Sequence, residues 1–222
     1  MNGTPTLERL RLLGALGGAL FAVLALVAYV IHPGPSSADG LTLVEYYSTH
    51  ATATLWGAAL FGVAATCFIW FAETFAERMP CRAGGVAGAA ATVALYLVAV
   101  GCWEILAEIF GGVDLVNVPN EGYGDAHVLY VVGNGAAHMG NFAATAYVGA
   151  SAAAMLASTP SWRRLGRLGL GITALRLISA LIELASSSHR SDNVAILGFL
   201  AFLAWVFAAS VMLVLTMRRS AT

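Results

Sequence analysis

The chain has 222 residues, 59% of them hydrophobic and 10% charged, and its mean hydropathy is +0.79. Soluble domains carry roughly 25% charge and about 45–50% apolar residues, so the bilayer is the expected solvent. The 11 basic residues are all Arg and stand against 12 acidic ones, which leaves no basic excess for nucleic acid. With no Lys in the chain, a retinal or pyridoxal Schiff base and a Lys-dependent P-loop are excluded as well.

A spanning helix needs about 20 largely apolar residues. Six stretches qualify, at 12–31, 51–71, 85–110, 128–156, 168–186 and 194–217. They use most of the chain, so the expected fold is all-α: a single domain, a bundle of six transmembrane helices. The first apolar run is longer than the 7–15 residues usual in a signal peptide and reads as a retained anchor. Arg9 and Arg11 precede it. Arg78 and Arg82, then Arg163, Arg164 and Arg167, then Arg218 and Arg219 all fall on the same side if the spans alternate. The other side holds Arg190 with Asp39, Glu45, Asp114, Glu121, Asp125 and Asp192. The positive-inside rule then places both termini in the cytoplasm of a bacterial inner-membrane protein. Every Pro lies outside the spans, whereas discontinuous helices often mark transporter substrate sites. Gly14 and Gly18 in the first span have the small-xxx-small spacing of close helix packing.

Spans one and six are almost entirely Leu, Ala, Val and Phe, while spans three to five carry polar groups. In span three Glu104 and Glu108 share one face, a turn apart. In span four His127, Asn134, His138, Asn141 and Thr145 fall within about 60° of one another at 100° per residue, a single polar stripe. Span five places Arg176 near mid-membrane, a counter-ion for a carboxylate or for the stripe, and Glu183 two turns further out. Ionisable groups in hydrocarbon cost about 2.5–3.5 kcal/mol each on insertion scales, so they face protein or water. These residues are therefore expected to line one chamber among spans three to five, open to the outer side. Asp114, Glu121, Asp125 and His127 would stand at its mouth, with Tyr46, Tyr47 and His50 at another side. Trp56 and Trp103 read as interface or packing aromatics.

Two chemistries suit such a chamber. One is binding of a small or amphipathic molecule for transport or sensing, with Glu108, His127, Asn134, Asn141 and Arg176 as ligand-binding groups. The other is acid/base catalysis on a lipid-like or terpenoid substrate, with Glu104 as the acid and His138 or Glu183 as the base. On that view Glu104→Gln abolishes activity and preserves folding. A third reading is an accessory subunit whose polar residues only join helices. No metal and no cofactor is expected: His127 and His138 are too far apart along one helix to share an ion, and Cys67, Cys81 and Cys102 form no CxxC pair. The expected partners are the bilayer and a small or lipid-like ligand, with a homo-oligomer or a membrane complex compatible with the composition.

Several motifs look familiar. Glu45-Tyr46-Tyr47-Ser48-Thr49-His50 leads into an apolar span ending Trp70-Phe71, and Trp162-Arg163-Arg164-Leu165-Gly166-Arg167-Leu168-Gly169 opens span five. This pattern resembles uncharacterised six-span membrane proteins of high-GC bacteria. The resemblance implies the architecture and no functional residues. The run Ala15-Leu16-Gly17-Gly18-Ala19 also resembles the small-residue docking segment of vitamin-uptake substrate-binding subunits.

Overall fold

In a computed structural model, residues 5–32, 34–35, 37–79, 82–114, 118–185 and 190–220 are described. They form six helices: α1 (Pro5–Ile31), α2 (Gly40–Arg78), α3 (Arg82–Phe110), α4 (Asn120–Leu156), α5 (Pro160–Ala185) and α6 (Arg190–Ser220). Stretches of α1, α2, α3 and α6 (Glu8–Ile31, Gly40–Arg78, Gly85–Phe110 and Ile196–Arg219) are long and apolar enough to cross a membrane. These four are the stretches of that kind among the described residues.

Each helix packs on its chain neighbours, α6 returns to α1, and α2 reaches across to α4. The ring of contacts follows from short connections, which make successive helices antiparallel neighbours. The α1–α2 seam is closed by glycine. A Cβ on Gly17 would stand 2.7 Å from the Cys67 carbonyl oxygen, and one on Gly18 would stand 2.7 Å from the Phe71 ring. Thus the small-residue face of α1 is occupied by the chain's own second helix. Ser210 of α6 secures the same helix from another side. Its hydroxyl donates to the Ala15 carbonyl and accepts from the Ala19 amide at 3.0 Å.

The main core lies between α1, α2, α4 and α6. Phe21 and Phe68 approach to 4.7 Å, and Phe68 meets Tyr147 and Phe202 edge-on at 5.2 and 5.8 Å. A second apolar cluster sits at the end of the bundle that carries the α1–α2 and α3–α4 connections. It joins Leu43, Val44, Tyr47, Leu106, Ala107 and Phe110. Asp39 caps α2 there by accepting from the Thr42 amide at 2.9 Å. The Ser37 hydroxyl and the Thr42 amide hold the Asp39 carboxyl down, to about 2, so the cap keeps its charge. At the opposite end Arg11 pairs with Glu77 at 3.1 Å on the surface, where such a pair adds little. Outward faces are strongly apolar: on α1, Leu13, Leu20, Val23 and Val30 are all exposed. Exposed Leu and Val in such number mark a surface solvated by lipid.

Candidate functional site

Between the two apolar clusters lies a cavity of about 500 Å³. Its cause is visible in the helix sequences. Where Phe21 and Phe68 fill the core, the next turns of α1 and α2 offer Ala25, Ala28, Gly57 and Ala58, and these small residues leave space. Tyr29 of α1 and Phe199 of α6 face each other across one wall at 5.7 Å. Phe61 of α2 and Tyr96 of α3 pair at 5.5 Å on another. Tyr47, Thr54 and Phe61 line the α2 side at intervals of seven residues, a length of about 21 Å at 1.5 Å per residue. Val100 and Trp103 come from α3, and Tyr130, Asn134 and Asn141 from α4. Among the described residues, none that lines it is Asp, Glu, Lys or Arg.

His32, immediately after α1, is the histidine in the described part of this wall. The Tyr46 and Thr54 hydroxyls both stand 3.1 Å from its Nδ1. Its ring lies 6.2 Å from Tyr47 and 5.9 Å from Trp103. Burial, and then the neighbouring His50, push the imidazole down to about 4, so it is neutral at pH 7. The Thr54 hydroxyl donates to the His50 carbonyl at 3.1 Å, so towards Nδ1 it can only accept, whereas the Tyr46 hydroxyl can donate or accept there. Two further polar atoms are enclosed without a hydrogen-bond partner: the Tyr47 hydroxyl and the Trp103 Nε1–H. A buried polar group left unpaired costs about 1–3 kcal/mol.

At the deep end the cavity meets a clamp. Asn141 Oδ1 accepts from the Tyr96 hydroxyl and, at 2.7 Å, from Arg176 Nη2. Arg176 Nε donates to the Thr145 hydroxyl at 3.1 Å, and Nη1 reaches the Gly198 carbonyl at 3.4 Å. The guanidinium also lies 5.0 Å over the Phe202 ring. One buried Arg thus ties α5 to α4 and α6, and through Asn141 to α3. Its charge is spread over carbonyl and amide dipoles and an aromatic face.

The expected chamber of spans three to five differs from this cavity. Asn134 and Asn141 line it and Arg176 stands behind Asn141, while no described residue of α5 is in the lining. Glu104, Glu108 and His138 are exposed on the surfaces of α3 and α4. His127 is exposed too, and its Nδ1 donates to the Ala38 carbonyl at 2.7 Å, tying α4 to the α1–α2 connection. Glu183 belongs to α5, and its side chain lies outside the described residues. The reason is rotational. The packed face of α4 is its small-residue face, Ala126, Gly133, Gly140, Ala144 and Ser151. That face is centred about 80° or more from the stripe, so the stripe runs along its edge. Asn134 and Asn141 fall on the inner side of that edge, His138 on the outer. Sequence reasoning passed over His32 and Thr54 and assigned Trp103 to packing. The signal that points to them is the seven-residue recurrence Tyr47–Thr54–Phe61 on α2, together with a histidine at the end of α1.

No protein-family model, no curated protein and no solved structure matches this chain.

Proposed function

We propose that the chain is a six-span inner-membrane protein with cytoplasmic termini. In this reading it binds a small or amphipathic molecule in the central cavity from the outer side, for transport or sensing. The arginine distribution supports the orientation: the helix ends bearing Arg78 and Arg163–Arg167 lie at the end opposite His32. The cavity would then open toward the outer leaflet, between His32, Trp103 and Tyr130.

The observation that carries the reading is the cavity itself. Its volume falls in the range of small-molecule sites, its wall is mainly aromatic and small apolar, and a few polar groups converge on it. A bundle held together only by polar stitching has no use for such a space. Of the two carboxyls in the acid/base reading, Glu104 is exposed on α3, outside the described lining, and the side chain of Glu183 lies outside the described residues.

The test is ligand-induced stabilisation of the purified full chain in detergent, scanned with neutral, anionic and cationic amphipathic molecules. At least one class should raise Tm by mass action. Ala58→Trp, which fills the cavity, should abolish that rise, and Glu104→Gln should leave it unchanged. A rise that survives Ala58→Trp would place binding elsewhere.

A further inference from the structure

We propose that Arg163, Arg164 and Arg167, exposed at the start of α5, hold the phosphate of an anionic phospholipid whose acyl chains lie along the apolar strip continuing the same face. The site is separate from the cavity and does not depend on what the cavity binds.

Packing turns these arginines outward. Trp162 is buried and meets the Phe75 ring of α2 edge-on at 5.9 Å. A Cβ on Gly166 would stand 2.7 Å from the Ala152 carbonyl oxygen, and one on Gly169 would stand 2.6 Å from the Trp205 indole nitrogen. That face of α5 is therefore pressed against α4 and α6, and Arg163, Arg164 and Arg167 are left exposed. Arg164, Leu168, Gly171, Leu175 and Ile178 fall within about 80° of one another at 100° per residue. Leu168 is 65% exposed, and a Cβ on Gly171 would meet nothing within 4 Å. On a bundle solvated by lipid, such a strip takes an acyl chain, and one end of it carries the cations.

Charge decides the head. From Ala126 to Ile182, and again from Asn193 to Thr222, the sequence has no Asp or Glu. The two helices on which α5 mainly packs, α4 and α6, thus bring no carboxylate to this end. Glu8, Glu73 and Glu77 stand on α1 and α2, and the ion pair formed there among the described residues is Arg11–Glu77. Arg163 Nη2 donates to the Ser158 carbonyl at 3.5 Å, which leaves donors over on all three guanidinium groups. The preference of arginine for one side of a membrane accounts for the side, and the missing carboxylates leave these groups to an outside anion. A guanidinium pairs phosphate oxygens through two parallel hydrogen bonds. A phosphate carried on acyl chains matches both halves of the site, and a soluble phosphate matches only one.

Three probes read head and chains separately: dioleoyl phosphatidylglycerol, dioleoyl phosphatidylcholine, whose head has no net charge, and glycerol 3-phosphate, which has no chains. Binding to the full chain in detergent is followed by native mass spectrometry. We expect phosphatidylglycerol to bind about tenfold or more tightly than phosphatidylcholine, and glycerol 3-phosphate not to displace it. Changing Arg163, Arg164 and Arg167 together to Gln should bring the two lipids within about twofold of each other, while Arg218→Gln with Arg219→Gln should keep most of the preference. Equal binding of the two lipids by the unaltered chain overturns the proposal. A preference that the α6 pair abolishes as fully as the α5 triple also overturns it, since the charge would then belong to the whole end of the bundle. Displacement by glycerol 3-phosphate would make it a soluble-phosphate site instead. Should the triple variant not fold, Arg164→Gln and Arg167→Gln should each lower the preference by about twofold or more, and no loss in either overturns the siting.

Discussion

His32 shows how one side chain acquires its properties from its position at the end of a helix. Placed one residue beyond α1, it folds back against Tyr46, Thr54 and Trp103, and burial removes most of its affinity for a proton. The folded ring takes up a proton only near pH 4, whereas an unfolded one does so near 6.5. Between these values the unfolded chain binds more protons, so stability rises with pH across that window. The contribution is complete above pH 6.5 and is lost as the pH falls toward 4. Thermal melts of the purified protein should therefore show Tm falling through this interval, with a shallower fall in His32→Leu. An equal slope in the variant would mean that His32 is not the group responsible. Arg176 achieves burial differently, by distributing its guanidinium over Asn141, Thr145, Gly198 and the Phe202 face.

Helices in this bundle are positioned by what they lack as much as by what they carry. Gly17 lets α1 approach the backbone of α2, and Gly17→Val would drive a side chain into the Cys67 carbonyl. Overpacking of this kind costs about 1–3 kcal/mol, so the variant should melt at a visibly lower temperature, while Leu20→Val on the exposed face of α1 should change little. The same logic explains what the sequence made legible and what it did not. Apolar length is a one-dimensional property: a helix overlaps each of the six predicted stretches, and four of the helices are long and apolar enough to cross a membrane. Facing is not one-dimensional. The stripe on α4 was readable as a stripe, but the choice of which face turns inward was made by Gly133, Gly140 and Ala144, whose small size permits close approach. Polarity alone then misplaces Glu104, Glu108 and His138, because they share helices with cavity-lining residues without sharing their faces.

At the scale of the whole molecule, a ring of six helices surrounds a space that no single element could enclose. Five helices or their ends supply the wall, so the cavity belongs to the tertiary arrangement. Its place near the α1–α2 connection makes the orientation testable together with the site. A cysteine at Ala38 should react with a membrane-impermeant thiol reagent on intact cells, and one at Ser161 only after the cells are opened. The reverse pattern would turn the cavity's mouth toward the cytoplasm. The central claim is that the cavity exists to be filled, and it is tested most directly by native mass spectrometry of the full chain extracted gently from the membranes in which it was made. We predict that the unaltered protein retains one small lipid-soluble molecule per chain and that Ala58→Trp, equally folded, retains none. Equal occupancy in the two proteins, or an empty unaltered chain that takes up no amphipathic molecule when offered one, would contradict it.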